Sequence, residues 1–182
     1  MIHQKVTVEK YNPEVHLHLA KQICDTQKVE NPQMLPLTLE IMAGHLYGAI
    51  AHIASTDAVG YNAVTELYDT PPTAEIGGLY IMQDHRGQGI FDLLKAHLFP
   101  AVVEHFPETP VIVFANDRSA PKNIAYGAEP ITHDQLPAGA LDNCATCPKV
   151  ESLCEGQVCC DTMLYFSKEK LAKLGGRLCG DY

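Results

Sequence analysis

A glycine-rich turn near the middle of the chain carries residue types that can bind an anionic group. Residues Glu75 to Ile81 read as a strand, and Arg86-Gly87-Gln88-Gly89 stands directly before an apolar-periodic helix that begins at Ile90. The first turn of a helix has backbone N–H groups without internal partners, and the helix macrodipole places partial positive charge there. Glycine lets a phosphate approach that backbone closely. The segment therefore predicts a phosphate site built mainly from backbone.

The surroundings of this turn decide which kind of phosphate site it is. A lone Arg-Gly-Gln-Gly also occurs in ordinary strand–helix connections. Here the turn follows three successive strands, whereas a Rossmann fingerprint lies in a β–α–β unit, and the chain has no Gly-x-x-x-x-Gly-Lys-Ser/Thr segment for a nucleoside triphosphate. His85 beside the turn could meet a phosphate, although a solvated turn residue is the simpler interpretation.

Cysteines form a second group with chemical potential. Cys144-x-x-Cys147 is followed by Cys154 and by the adjacent pair Cys159-Cys160. Cys-x-x-Cys is a usual half-site for tetrahedral Zn²⁺, and a loop-rich segment gains stability from such a metal. We predict a structural zinc on Cys144, Cys147, Cys154 and Cys159, with Cys160 as the alternative fourth ligand. Disulfides formed after lysis and free buried thiols are the other two interpretations.

The first half of the chain predicts a strand, two helices and three more strands. Lys5 to Glu9 opens as a strand, and Asn12-Pro13 marks a helix start that runs to about Gln27. A second helix is expected from Asn31-Pro32 to about His45. Turn residues then separate three strand-like runs, which are Tyr47 to Ser55, Ala58 to Tyr68 and Thr73 to Met82.

The second half alternates helices and strands. The clearest helix spans Ile90 to Phe106, with Pro100 expected to kink or split it. After it we predict a buried strand from Thr109 to Ala115, a helix from Ser119 to Tyr126 and a short strand at Ile131-Thr132. The chain then ends with a strand from Thr162 to Ser167 and a helix from Lys168 to Leu174, which Gly175-Gly176 should stop. Three consecutive strands predict an antiparallel meander, and the later alternation predicts a parallel pair, so the sheet is mixed.

Composition restricts the class of protein. The 182 residues suit one domain, residues 1–182, with the cysteine-rich loop 134–161 as an insertion. The formal net charge of −9 argues against non-specific binding to nucleic acid. No apolar run is long enough to span a membrane, and the N-terminus has no apolar core of a signal peptide. We expect a soluble, cytoplasmic protein.

The strand and turn together resemble the GCN5-related N-acetyltransferase (GNAT) superfamily. The resemblance rests on Ala74 to Ile81, on Arg86-Gly87-Gln88-Gly89-Ile90 and the helix after it, and on Asn116, Ser119 and Gly127 after the fifth strand. It covers most of the chain from Val6 to about Thr132 and the last strand. It implies an α/β (α+β) fold with a mixed, mostly antiparallel sheet of about six or seven strands flanked by helices.

The resemblance also implies a cofactor and its contacts. Acetyl-CoA would be the cosubstrate, with its pyrophosphate on the backbone amides of the loop. Asn116 would contact the pantetheine arm. A backbone N–H at the splayed point of the fourth strand would bind the thioester oxygen, and Gly77-Gly78 would ease a bulge there. The implied cofactor-binding residues are Leu79, Ile81, Arg86, Gly87, Gln88, Gly89, Ile90 and Asn116.

Two positions depart from the family pattern. Phe91 stands just inside the helix where the family has a small residue. Asn123 stands where the family often has a tyrosine that acts as general acid. Tyr126, one helical turn further on, could take over that role, and the alternative interpretation is that Tyr126 only packs at the end of the helix. An attacking amine must also lose a proton. Glu75 on the fourth strand is the favoured base, and Glu66 on the third strand is the alternative.

The sequence therefore predicts an N-acetyltransferase that moves an acetyl group from acetyl-CoA to a primary amine of a small molecule or protein. The amine could belong to a polyamine-like molecule, an amino acid, a lysine side chain or a protein N-terminus. The alternative is a non-catalytic GNAT-like structural or interaction module, for example a phage virion component, with a zinc-stapled cysteine loop. The oligomeric state stays open, and a homo-oligomer is compatible with the sequence.

Overall fold

The computed structural model describes residues 5–32, 34–142 and 162–178, with side chains described as far as residue 174. The described residues form seven strands and five helices. The strands are β1 (Val6–Lys10), β2 (Tyr47–Ile53), β3 (Asp57–Asp69), β4 (Pro72–Ile81), β5 (Val111–Ala115), β6 (Glu129–Pro130) and β7 (Thr162–Phe166). The helices are α1 (Leu17–Glu30), α2 (Leu39–Gly44), α3 (Ile90–His105), α4 (Ala120–Ala125) and α5 (Lys168–Leu178).

All seven strands belong to one mixed sheet with the order β1-β2-β3-β4-β5-β7-β6. Strands β1 to β4 form the predicted antiparallel meander. Strand β5 lies parallel to β4 after the α3 crossover, and β7 is antiparallel to both β5 and β6. The fold class predicted from the sequence is confirmed.

Helices cover both faces of the sheet. On one face Ala74 and Ile76 of β4 pack with Leu98, Phe99 and Val102 of α3 in the largest buried cluster. On the other face, side chains of α1 and α2 pack on β2, β3 and the end of β4. These are Leu19, Ile23, Met42, Ile50, Tyr61, Ala63 and Tyr80. The sheet is therefore packed on both faces, with α3 on one side and α1 and α2 on the other.

Two helices begin later than predicted. Asn12 caps a turn, its Oδ1 accepting the N–H of Glu14 at 2.9 Å, and α1 begins only at Leu17. Helix α2 begins at Leu39, because Thr38 provides its N-cap by accepting the N–H of Ile41 at 3.1 Å. The prediction of a helix from residue 31 was therefore wrong.

Two further helices differ from, or narrow, what their proline and glycine residues predicted. Helix α3 runs through Pro100 as one helix from residue 90 to 105, which excludes a split there and leaves a kink as the prediction. Helix α5 continues past Gly175-Gly176 to Leu178. The predicted short strand at Ile131-Thr132 lies two residues earlier, at Glu129–Pro130. None of the described helices is both long and apolar enough to cross a membrane.

Candidate active site

Strands β4 and β5 part in the middle of the sheet. They pair only at Ala74 with Val111 and at Glu75 with Ile112. Beyond that point β4 continues to Ile81 beside β3, while the rest of β5 pairs with β7. Beyond these two pairs, the facing backbone edges of β4 and β5 are not paired with each other, and we call the gap between them the cleft. Polar backbone edges inside a sheet need partners, which makes this cleft suited to a chain-like polar ligand.

The glycine turn follows the C-terminal end of β4 and stands at the N-terminus of α3. Gly87 and Gly89 have φ values of +78° and +79°, a region that side chains disfavour. Apart from the glycine itself and its two chain neighbours, no described heavy atom lies within 4 Å of the position that a Cβ would take at either glycine. The backbone N–H groups of both glycines have no acceptor among the described residues. This glycine cradle therefore presents an open, electropositive backbone to solvent.

The arginine of the motif braces the cradle from behind. Arg86 donates from Nε to the carbonyl oxygen of Ile81 at 2.9 Å and from a guanidinium nitrogen to Glu30 Oε2 at 3.0 Å. The same carboxylate accepts from the Tyr80 hydroxyl at 2.7 Å and from the backbone N–H of Gln83 at 3.0 Å. Glu30 at the end of α1 thus ties β4, the turn and the arginine together.

The other predicted cofactor-binding residues also shape the cradle or the cleft. Gln88 donates from its amide to the carbonyl oxygen of Asp84 at 3.0 Å. Ile90 is fully buried and anchors α3, while Leu79 and Ile81 are half-buried on the same face. Asn116 caps the turn before α4, its Oδ1 accepting the N–H groups of Arg118 at 3.0 Å and Ser119 at 3.1 Å.

A β-bulge interrupts β4 at the predicted glycines. Tyr61 pairs with Tyr80 and Ala63 with Gly77, so two residues of β4, Gly78 and Leu79, oppose the single residue Asn62. Gly78 has a φ of +61°. The buried Asn62 donates its amide to the carbonyl oxygen of Gly77 at 2.7 Å. The prediction that this glycine pair makes a bulge is confirmed, and the bulge turns the following side chains to the opposite face.

Glu75 lies beside this bulge with its carboxylate held in place. Its Oε2 accepts the hydroxyl of Tyr68 at 2.6 Å, and its Oε1 lies 3.1 Å from the position of a Cβ at Gly77. Burial raises the pKa of Glu75, and the carboxylate of Glu66 adds to the rise, whereas hydrogen bonds from Tyr68 and Thr65 oppose it. Glu66 itself is exposed on β3. Glu75 is therefore the better placed of the two predicted bases.

The candidate acid and its surroundings pack between α3 and α4. The Tyr126 hydroxyl donates to Asp92 Oδ1 at 3.0 Å, and its ring lies 6.1 Å from Phe91 and 5.8 Å from Phe99. Phe91 is buried against these neighbours, away from the open space over Gly87 and Gly89. Asn123 is also buried, and its amide donates to the carbonyl oxygen of Ser119 at 2.9 Å.

A histidine and a tyrosine that the sequence did not single out complete the bulge. His45 Nδ1 lies 2.8 Å from the Tyr61 hydroxyl, and the two rings stack at a centroid distance of 5.8 Å. His45 follows α2, and Tyr61 lies on β3, so neither is near Gly78 in sequence. Glu30 and Tyr68 were missed for the same reason. These four residues could have been identified only from the tertiary contacts between strands and helices.

Comparison with protein families identifies the fold's relatives. The family model described as "Acetyltransferase (GNAT) family" matches residues 18–120, which is more than half of the chain. The chain belongs to the GNAT family. The match spans α1 to the start of α4, so it includes the cleft, the bulge and the glycine cradle of this GNAT protein. No curated protein sequence matches the chain.

Solved structures resemble the whole fold. A GNAT family acetyltransferase from Staphylococcus aureus Mu50 superposes with a TM-score of 0.62 at 15% identity, covering 90% of this chain and 99% of that one. A GNAT family N-acetyltransferase (YhbS) from Escherichia coli in complex with CoA gives 0.59 at 13% identity, covering 92% and 85%. N-acetylglutamate synthase from Neisseria gonorrhoeae, complexed with coenzyme A and N-acetyl-glutamate, gives 0.64 at 14% identity, covering 90% and 35%.

The predicted zinc ligands Cys144, Cys147, Cys154 and Cys159 lie outside the described residues. Within residues 5–32, 34–142 and 162–178, no group of three histidine, cysteine or acidic side chains could hold a metal ion. Cys24, on α1, is a free and buried thiol. The cysteine-rich segment therefore stays a sequence prediction.

Proposed function

We propose that this GNAT protein transfers an acetyl group from acetyl-CoA to a primary amine. The observation that carries the proposal is the open glycine cradle at the N-terminus of α3. It lies at the same end of the sheet as the unpaired edges of β4 and β5, which would give an extended ligand a path from a phosphate-binding backbone to the bulge beside Glu75. A coenzyme A molecule has a pyrophosphate at one end of such a path and a thioester at the other.

The residues at the bulge supply what the transfer requires. The carboxylate of Glu75 takes a proton from the acceptor ammonium, either directly or through one water, and frees the nitrogen lone pair. Nitrogen then attacks the thioester carbonyl, and a backbone N–H at the bulge stabilises the negative oxygen. When the C–S bond breaks, its electron pair leaves on sulfur as a thiolate. The nitrogen of the new amide still carries one proton too many, and this second proton passes through water to the thiolate, which leaves as free CoA thiol.

The departing sulfur needs little help. Asn123 has no acidic proton, and the Tyr126 hydroxyl donates to Asp92 on α3. A thiolate leaves well without a general acid, so positioning and the oxyanion donor account for most of the rate. We therefore assign Tyr126 a packing role at the junction of α3 and α4, and we assign no residue as general acid.

A direct test combines binding with turnover. Isothermal titration of the full chain with acetyl-CoA should give a saturable signal, and a panel of primary amines should then release free CoA thiol, with the acetylated amine identified by mass. Absence of binding at millimolar cofactor would reject the proposal. Binding without turnover of any amine would favour the alternative, a non-catalytic GNAT module, for which buried Asn123 is the structural argument.

For the cysteine-rich segment we propose a structural zinc on Cys144, Cys147, Cys154 and Cys159. The Cys-x-x-Cys spacing supports it, and reduced thiols fit a cytoplasmic protein. Protein purified without chelator should contain one zinc per chain, and the metal should protect thiols from alkylation. If no zinc is bound and all thiols react, the cysteines are free. If the thiols react only after reduction, they form disulfides.

A further inference from the structure

His45 is held against the bulge by a buried partner. Tyr61 is wholly buried under α1 and α2, and its hydroxyl lies 2.8 Å from His45 Nδ1. The Cε1 atom of His45, which is bonded to both ring nitrogens, lies 3.5 Å from the position of a Cβ at Gly78. Glu75 borders the adjacent Gly77 in the same way. An imidazole and a carboxylate therefore flank two successive residues of the bulge.

The pairing with Tyr61 fixes the tautomer of His45. Burial raises the pKa of Tyr61, so its hydroxyl keeps its proton, and the only acceptor that the described residues offer it is His45 Nδ1. Burial also lowers the pKa of His45 to about 4, so the ring is neutral at neutral pH. A neutral imidazole that accepts at Nδ1 carries its proton on Nε2. His45 thus has a single N–H donor available beside the bulge.

We propose that His45 donates a hydrogen bond from Nε2 to the carbonyl oxygen of the acyl group at the bulge, with Tyr61 as the residue that positions it. This inference rests on the proposed acetyl transfer. As the N–C bond forms, the carbonyl π electrons move to oxygen, and the Nε2–H bond to that oxygen strengthens. The electron pair returns when the C–S bond breaks, and the proton stays on His45 throughout. A neutral donor suits this role because it gives up no proton to the intermediate.

The test uses an unreactive ketone analogue of acetyl-CoA, in which a methylene replaces the thioester sulfur and the carbonyl carbon is ¹³C-labelled. A hydrogen-bond donor at the carbonyl oxygen moves the ¹³C resonance downfield. We expect a downfield shift on binding to the wild-type protein and loss of much of it in His45→Ala. His45→Gln, which restores an N–H donor, should recover part of the shift. His18→Ala, at an exposed histidine of α1, should match the wild type.

Tyr61→Phe examines the positioning role separately. In ¹⁵N-histidine spectra the wild-type His45 should show protonated Nε2 and unprotonated Nδ1, whereas Tyr61→Phe should show a mixture of tautomers and a smaller ¹³C shift. In turnover, His45→Ala should lower kcat about a hundredfold with little change in the KM for acetyl-CoA.

The outcomes separate this inference from the proposed function. A wild-type protein that fails to bind the analogue would overturn both. An analogue that binds His45→Ala as tightly as the wild type, with an unchanged ¹³C shift, would overturn only the role of His45. Equal binding with a reduced shift would support it, because the unchanged Kd shows that the variant is folded.

Discussion

The two ends of the cleft are built in opposite ways. At the cradle, Gly87 and Gly89 leave backbone exposed, and the charged side chain of Arg86 points back to Glu30 and Ile81. At the bulge, the side chains of Glu75 and His45 flank the backbone, and Tyr68 and Tyr61 hydrogen-bond to them. The glycines of the first end come from one local segment, whereas the second end needs three segments, namely β3, β4 and the end of α2.

This difference assigns different consequences to mutations. A change at the cradle should alter cofactor affinity and leave the chemistry of bound cofactor intact. A change at the bulge should alter the rate and its pH dependence while the cofactor still binds. The following predictions test this division, from the largest expected effect to the smallest.

Removing the proposed base should give the largest effect. Glu75→Gln keeps the hydrogen bond from Tyr68 but cannot accept a proton, so kcat/KM should fall about 10²- to 10⁴-fold. The Kd for acetyl-CoA, measured by titration calorimetry, should stay at the wild-type value. Glu66→Gln on the exposed face of β3 is the matched control and should retain activity. If Glu75→Gln keeps full activity, the base lies elsewhere.

A negative charge in the cradle should produce the opposite result. Gly89→Glu places a carboxylate and a strained backbone where the phosphate is expected, so the Kd for acetyl-CoA should rise about a hundredfold, or about 2.8 kcal/mol. Gly139→Glu is a control with matched charge and backbone strain, since Gly139 has a φ of +83°. Equal binding by both variants would place the cofactor away from α3.

The cofactor end also carries a cost in stability. Lys95 on α3 is buried, with its ammonium 5.6 Å from the Phe91 ring and 5.4 Å from the Phe99 ring, and no carboxylate pairs with it in the described part of the chain. Burial lowers its pKa from 10.5 to about 7. The unfolded chain therefore holds a proton that the folded chain releases between those two values, so stability should rise with pH across that window, by at most about 1.4 kcal/mol per pH unit.

Lys95→Met should remove this dependence. Urea unfolding at pH 7 and pH 9 should show a larger gain for the wild type than for the variant, and the variant should be the more stable protein at pH 7. Parallel pH dependence in the two proteins would mean that the ammonium of Lys95 is solvated.

Loosening the brace behind the cradle should have a moderate effect. Glu30→Gln removes the negative charge that Arg86, Tyr80 and Gln83 share, so the turn should lose order and the Kd for acetyl-CoA should rise about tenfold. Glu40→Gln, at an exposed position of α2, should bind like the wild type. An unchanged Kd for Glu30→Gln would show that α3 alone holds the glycines in place.

The smallest effects should be shifts of the acid limb of the pH–rate profile. If Glu75 is the base that we propose, activity requires its ionised form. Because its pKa is raised, kcat/KM should then fall at a higher pH than for an ordinary glutamate. Tyr68→Phe removes a hydrogen bond that lowers this pKa and should move the limb to higher pH. Glu66→Gln removes a like charge and should move it to lower pH. Shifts in the same direction for both variants would contradict the assignment of the limb to Glu75.

Local features were predictable from sequence because they depend on neighbouring residues. The meander, the parallel β4–β5 pair and the glycine turn follow from strand periodicity and glycine placement, and the bulge at Gly77-Gly78 was implied by the family resemblance. The start of α2 was not predictable, since a threonine cap at residue 38 outweighed the Asn31-Pro32 signal. The extension of α5 through Gly175-Gly176 likewise shows that packing on α3 can override two poor helix formers.

The partners of the site residues depend on contacts between distant segments. The bond between Glu30 and Arg86 joins residues 56 positions apart, and that between Tyr80 and Glu30 spans 50. No periodicity in either segment indicates such a pairing. The same holds for His45 beside Gly78, where only the approach of α2 to the sheet brings an imidazole to the bulge.

The parting of β4 and β5 divides the sheet into two unequal parts joined by only two residue pairs. The part made of β1 to β4 contains the bulge and leads into the cradle, and most of the family match falls within it and α3. The part made of β5, β7 and β6 lies on the other side of the cleft, and in the sequence the cysteine-rich segment stands between β6 and β7. If the cleft holds the acyl donor as proposed, changes in this outer part can alter which acceptors enter without rebuilding the half that contains the bulge and the cradle.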